Sequence, residues 1–168
     1  MENLAYWSTV DTQIGPFTAI VDLEGCVLSS GWTSDIQTLT PQISPKLMPT
    51  RFHERTELGK VSIAIHDYHQ GDLTAPESIE VKQISGDFRQ QAWDILRTIP
   101  AGEPVTYAEY AALSGRPTAI RAAASACARN AAALFVPCHR VIRSGGGLGG
   151  FRWGIEVKRW LLEHETGK

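Results

Sequence analysis

"TYAEYAALSGRPTAIRAAASACARN", Thr106 to Asn130, is the stretch whose reading decides the fold. Thr106 with Glu109 three residues on is a capping box, opening a helix at Tyr107. Gly115 falls just past the last turn of that helix, where a left-handed cap is expected. Pro117 suits the first turn of a second helix running through "RPTAIRAAASACARN". Helix, short turn, helix is the helix-turn-helix outline, although any two packed helices can give it. The second helix is nearly all small, from Ala122, Ala123 and Ala124 through Ser125, Ala126, Cys127 and Ala128. Small side chains let a helix approach a groove as narrow as the DNA minor groove, about 6 Å wide. They equally let two helices pack closely, and the residues alone leave both readings open.

Working outward, "GDFRQQAWDILRTIP" predicts a helix with Phe88, Ala92, Ile95 and Leu96 near one face, stopped by Pro100. "WGIEVKRWLLEHE" predicts an amphipathic closing helix. The first third reads as antiparallel β, with runs "LAYWSTVDT", "FTAIVDLE" and "CVLSSGW" punctuated by turns at "IGP" and "EGC". "SDIQTLTPQISPKLMPT" reads as an irregular connection. Arg51 to His69 is expected as one helix, with Gly59 against it. "QGDLTAPESIEVKQISG" reads as a linker holding a short strand. The expected architecture is therefore α+β, with a sheet domain over residues 1–84 and a helical domain over residues 85–168.

Composition narrows the class. With 43% hydrophobic and 20% charged residues the chain is globular, and no apolar run approaches the length of a membrane span. The start "MENLAYWSTVD" lacks the basic-then-apolar layout of a signal peptide. Three cysteines at unrelated spacings suit free thiols in a reducing compartment, so a cytoplasmic protein is expected. The net charge of −2 hides an asymmetry: residues 1–87 carry −7 and residues 88–168 carry +5. All eight basic residues between Arg89 and Arg152 are arginines, which fork onto phosphates, so a nucleic-acid face belongs in the second half. An ordinary solvated surface would account for the charge as well.

"FVPCHRVIRSGGGLGG", Phe135 to Gly150, carries the chemistry. Thiolate is the reactive form of cysteine, and Cys138 has His139 beside it with arginines at 140 and 143. On a strand, neighbours point to opposite faces, so His139 need not touch the sulfur directly and could act through a water. A Cys-His pair in isolation is more often structural than catalytic.

More residues join it. "VPCHRV", "FRWG" and "KRWLLEHE", with "DFRQQAWDILRTIPAGEPVTYAEYA" and "RPTAIRAAASACARN" upstream, resemble the O6-alkylguanine-DNA alkyltransferases, the methylated-DNA–protein-cysteine methyltransferases. "RAAASACARN" with "FRWG" is most similar to the C-terminal domain of the bacterial adaptive-response proteins. The resemblance implies a ribonuclease-H-like first domain and single-turnover transfer of an alkyl group from O6 of guanine, or O4 of thymine, to Cys138. It implies His139 as water-mediated base, oriented by Glu165, in the roles of a triad. It makes Asn130 the tie between the second helix and the acceptor segment, and Tyr107 the group that helps rotate the lesion out. Arg121 then fills the gap in the base stack. Ala122, Ser125, Ala126 and Arg129 join Tyr107 and Arg121 on the DNA face. Val141, Phe151, Arg152 and Trp153 form the substrate pocket. The implied partner is double-stranded DNA bearing alkylated bases, met through the minor groove by a monomer, with no cofactor and no metal. Phe151 stands where many members carry tyrosine, and "RAAAS" replaces a valine-containing form.

A base buried in a duplex must be flipped out before a thiolate can reach it, which agrees with this reading. Two alternatives remain at this level: a thiol hydrolase using Cys138 and His139, and a non-enzymatic helix-turn-helix sensor of alkylated DNA. Cys138 stands against the sensor. "HDYH" at His66–His69 has metal-compatible spacing but no third ligand, and reads as surface. Cys26 and Cys127 read as structural, and Trp7, Trp32, Trp93 and Trp160 as core.

Overall fold

The computed structural model describes residues 3–167; Met1, Glu2 and Lys168, the outermost residues of the two expected domains, lie outside the described residues. The chain divides into two compact units: residues 1–84 with 131–135, and residues 85–130 with 136–168.

In the first unit, β1 (Leu4–Thr12), β2 (Gly15–Val21) and β3 (Val27–Gly31) form the expected antiparallel run. The β1–β2 hairpin closes through Thr12 Oγ1, which donates to the Gly15 carbonyl at 2.6 Å. Between β2 and β3, Asp22 Oδ1 accepts the Glu24 and Cys26 N–H groups, an Asx turn that needs Gly25 at φ 83°. A short helix, α1 (Ile36–Leu39), and a helical turn through Gln42 interrupt the proline-rich connection. The sheet order is β3-β2-β1-β4, and β4 (Arg51–Glu54) lies parallel to β1, so the sheet is mixed at that edge rather than wholly antiparallel.

One helix over Arg51–His69 is not what forms. Residues 51–54 pair with β1, Gly59 takes φ 62° as a break, and α2 (Lys60–His69) begins only after it. That conformation is open to glycine and excludes a continuous helix. On α2, His66 is exposed as expected but His69 is buried, which corrects the surface reading of His69 alone. His69 Nδ1 lies 2.6 Å from the Ile65 carbonyl, and its Nε2 accepts the Trp32 indole N–H at 3.2 Å. Both ring nitrogens are thus committed to the core. No group of three metal-binding side chains occurs among the described residues. Trp32 and Trp93 are buried as expected, whereas Trp7 and Trp160 are only half-buried. The expected linker strand shrinks to a single parallel bridge between Val81 and Val27.

Ala131–Phe135 returns to the first unit although it lies beyond residue 85. The Ser30 N–H donates to the Ala131 carbonyl and Ser30 Oγ to the Ala133 carbonyl, both at 2.8 Å. Leu134 within it adopts φ 78°, a strained conformation for a leucine.

The second unit is helical, with α3 (Asp87–Leu96), α4 (Tyr107–Leu113), α5 (Ile120–Ala128) and α6 (Ile155–Thr166). The Thr106–Glu109 capping box forms in both directions. At the other end of α4, Gly115 at φ 93° lets its own N–H reach the Ala112 carbonyl and that of Arg116 reach Ala111, a Schellman closure. Pro117 does not start α5; it sits in the connecting turn, and the helix begins at Ile120. Two-residue strands β5 (Val105–Thr106) and β6 (Val141–Ile142) pair in parallel. That pairing brings the start of α4 beside the chain that follows Cys138. No helix among the described residues is long and apolar enough to cross a membrane.

Candidate active site

Pro137 leads into a single tight helical turn, Cys138–Arg140, rather than the strand expected there. The Cys138 N–H bonds back to the Val136 carbonyl at 2.8 Å, and the Arg140 N–H to Pro137 at 3.0 Å. At the end of α5, Asn130 Nδ2 donates to the Val136 carbonyl at 2.7 Å, which fixes the approach to the cysteine. Cys138 is 8% exposed. Burial pushes its thiol above the ordinary value, against the lowering effect of the Asn130 hydrogen bond and the Lys158 and Arg152 charges. The resting group is therefore the thiol, and it needs a base.

His139, next in the chain, is the candidate. Its Nε2 lies 2.8 Å from Glu165 Oε2, and the ring is fully buried. Burial raises the Glu165 carboxyl, but His139 and Arg140 outweigh that and hold it well below the usual carboxylate range. An ionised Glu165 only accepts, so the proton of a neutral His139 sits on Nε2 and leaves Nδ1 a bare acceptor. Burial keeps His139 below its ordinary pKa, with Glu165 opposing, so the neutral form is the one at pH 7. Among the described residues, Nδ1 is buried without a hydrogen-bond partner. No hydrogen bond among the described residues joins the ring to the sulfur.

Two residues of this network were missed as site residues in the sequence. Arg140 Nε and Nη2 donate to the two oxygens of Glu165, each at 2.9 Å, and its Nη1 donates to the Ile99 carbonyl at 2.7 Å. Lys158 is fully buried, with Nζ donating to the Val141 carbonyl at 2.7 Å and to Gly150 at 3.3 Å. It staples both ends of the glycine-rich turn. The signal lay in helical spacing: Lys158, Leu161 and Glu165 are the buried residues of α6, so two charges share its apolar stripe.

The turn that receives Arg140 also packs on α6. Gly102 is at φ 82°, and a Cβ there would stand 2.9 Å from the Glu165 carbonyl oxygen. Backbone cannot yield as a side chain tip does. Gly102→Ala is therefore expected to destabilise the protein by about 2 kcal/mol. A thermal melt should fall by roughly 4–8 °C; an unchanged melt would show that the turn relaxes freely.

Tyr107 opens α4, half-buried, and burial with the nearby Cys127 and Cys138 raises its phenol to about 12, against Arg143. It stays protonated and can donate. The Gly149 backbone lies against its ring, where an added Cβ would meet the phenol oxygen at 2.9 Å.

The expected DNA face divides. Arg121, Ala122 and Arg129 are exposed, and Ser125 is half-buried with its hydroxyl 3.1 Å from Arg89 Nη2. Ala126 is fully buried, and its carbonyl takes the Trp93 indole N–H at 2.8 Å. It belongs to the packing face, not to a surface. Small residues thus serve close packing on one side of α5 and leave the other side low. Of the expected pocket residues, Val141 is fully buried, Phe151 and Trp153 are half-buried, and the Arg152 side chain is exposed. The arrangement is equipped to deprotonate a buried thiol and to stabilise the imidazolium that results.

Residues 87–167 match the family model described as 6-O-methylguanine DNA methyltransferase, DNA binding domain. The bifunctional transcriptional activator/DNA repair enzyme Ada of Escherichia coli is 54% identical over 47% of this chain, which spans 22% of that protein's length. The methylated-DNA–protein-cysteine methyltransferase of Mycobacterium bovis is 35% identical over 98% of this chain and 94% of its own. The structure of Mycobacterium tuberculosis OGT in complex with DNA superposes with a TM-score of 0.81 at 32% identity, covering 96% of this chain and 93% of that one. Identity that runs nearly end to end with the mycobacterial relative, and not only through the helix-turn-helix and acceptor segment, decides the matter: the chain belongs to the methylated-DNA–protein-cysteine methyltransferase family.

Proposed function

We propose that the chain repairs DNA by direct reversal, moving an alkyl group from O6-alkylguanine or O4-alkylthymine onto Cys138 in a single turnover. The observation that carries the reading is the buried Cys138 beside a neutral His139 whose Nδ1 is a bare acceptor, backed by Glu165 and Arg140. His139 Nδ1 takes the thiol proton through a water, and Glu165 stabilises the imidazolium. The thiolate attacks the alkyl carbon, the carbon–oxygen bond breaks, and its electron pair stays with the base. The proton passes back to the base, so thiol plus alkylated base becomes thioether plus repaired base. A thioether offers no leaving group, so the protein is spent.

DNA is met through the minor groove by α5, with Arg121 filling the gap left by the flipped base and Ala122, Ser125 and Arg129 beside it. Tyr107 donates to the departing base. Val141, Phe151, the Arg152 backbone and Trp153 hold the base against the acceptor. The protein acts as a monomer in the cytoplasm. Incubation with a methylguanine-containing duplex should add one methylene equivalent to the intact mass, on Cys138, once per chain. Multiple turnovers on an ester or amide, with no stable adduct, would overturn the reading in favour of a thiol hydrolase.

Trp153 sets the size of the alkyl group. Half-buried on the turn that follows the glycine-rich segment, it has indole surface to present to a substrate. Overlap with a benzyl group should cost about 1–3 kcal/mol, so O6-benzylguanine should react roughly ten- to a hundredfold more slowly than the methyl analogue. Trp153→Gly should recover benzyl transfer selectively. Equal rates for both substrates in the unmodified protein would remove Trp153 from the pocket wall.

A further inference from the structure

We propose that Arg152 and Arg129 together bind one DNA phosphate, the one flanking the nucleotide whose base enters the pocket beside Cys138. This rests on the DNA-repair reading and adds to it a side-chain role for Arg152, whose backbone alone had a part there. Arg152 leaves the pocket wall and reaches across to α5, where Nη2 donates to the Ala128 carbonyl at 2.6 Å. Ala128 is the last residue of α5, and Arg129 follows it directly. The guanidinium is thus held one residue from a second arginine, and both side chains are exposed.

Two cations so placed repel each other. Burial lowers the Arg152 pKa and the Arg129 charge lowers it further, while the Cys138 sulfur opposes both. Among the described residues, none of the ion pairs to Asp22, Glu24 or Glu165 involves Arg129 or Arg152, so no carboxylate there relieves the repulsion. α5 itself contains no acidic residue. What holds Arg152 there is the negative end of the α5 dipole and the Ala128 carbonyl, which occupy one of its five N–H donors. The remaining donors form the planar fork that suits two oxygens of a phosphodiester. The site therefore stands preformed before the anion arrives.

Its position identifies the anion. Arg152 follows two residues after Gly150, whose carbonyl shares the Lys158 Nζ with that of Val141, three residues past Cys138. A phosphate meeting Arg152 is then one linked to the nucleotide in the pocket, not one further along the duplex. Binding there draws the backbone of the flipped nucleotide towards the wall and neutralises the arginine pair.

The test uses the full chain and an undamaged duplex, so it does not depend on transfer. Dissociation constants are read by fluorescence anisotropy between about 50 and 200 mM salt, where each neutralised phosphate adds about 0.9 to the slope of log affinity against log salt. The Arg129→Gln/Arg152→Gln double variant should lose about 0.9 of that slope, one phosphate, so its affinity deficit shrinks roughly threefold across the series. Arg152→Lys should retain the slope, since it keeps the charge while losing the fork. An unchanged slope in the double variant, or a loss of about 1.8 that signals two separate phosphates, would overturn the proposal. So would an Arg129→Gln/Arg152→Lys variant that loses as much slope as the double glutamine variant, because the charge at position 152 would then take no part in phosphate binding. If methyl transfer to Cys138 proceeds while the double variant keeps its slope, the phosphate site falls and the repair reading stands. If the unmodified protein binds no duplex, both fall.

Discussion

Cys138→Ser is expected to abolish alkyl transfer, by at least about a thousandfold, while duplex binding stays within a few fold. The two side chains differ little in size, and the backbone bonds that shape the acceptor turn, from Cys138 to Val136 and from Arg140 to Pro137, do not involve the sulfur. What changes is the nucleophile. A thiol held above its ordinary pKa by burial is still within reach of His139, because the Asn130 hydrogen bond and the Lys158 and Arg152 charges favour its anion. An aliphatic hydroxyl is a far weaker acid, and the same base cannot ionise it usefully. The check is intact mass after incubation with a methylguanine duplex, beside anisotropy on the same duplex. A serine variant that gains the alkyl group at the original rate would take Cys138 out of the mechanism.

Most of the helical unit was legible because its signals are local. A capping box, a Schellman glycine and a small-residue helix are each decided within a few positions, and all three formed. The first unit was read less well where its order depends on distant partners. "RFHE" is a strand only because β1 offers it a parallel edge some 47 residues back, a pairing that no local period announces. Ala131–Phe135 likewise joins the first unit through Ser30, roughly a hundred residues earlier in the chain. Pro117 was misplaced by three residues because a proline suits a turn as well as a helix start.

The site divides in the same way. Cys138, His139 and Glu165 come together, although Glu165 is 26 residues from His139 and only a family resemblance joined them beforehand. Arg140 read as part of an electropositive setting; its work as the partner of both Glu165 oxygens needs the three-dimensional arrangement. Lys158 was not singled out within the amphipathic closing helix. Its burial follows from an alignment with Leu161 and Glu165 that helical spacing alone could have flagged. Ala126 was placed on the DNA face by the resemblance, and a run of small residues cannot say which side of the helix turns inward.

Glu165→Gln should lower transfer at neutral pH by roughly a hundred- to ten-thousandfold, the range expected when a base loses the group that orients and charges it. Glutamine can turn its amide N–H toward His139 Nε2, which would force the ring proton to Nδ1 and aim a donor at the thiol. The imidazolium formed in the reaction would also lose its counter-ion. The pH profile carries the mechanism's signature. In the unmodified protein, burial holds His139 below its ordinary pKa, so the base stays free as pH falls through about 6.5 and the rate should hold level there. Without Glu165, the influence that raises the His139 pKa is gone, and the residual rate should instead climb with pH as the thiol ionises directly. Stability needs its own control, because removal of Glu165 strands the Arg140 guanidinium at 7% exposure, a loss of about 3–5 kcal/mol. The Glu165 pKa is depressed on folding, so its contribution is fully present above the ordinary carboxylate range and is lost as pH drops below about 4.3. Glu165→Gln should flatten that acid limb of the melting curve. Adding Arg140→Met should return part of the stability, since an apolar chain replaces the stranded charge, and should return none of the transfer. If the double variant instead recovers transfer along with stability, Glu165 serves the fold alone and His139 works without it.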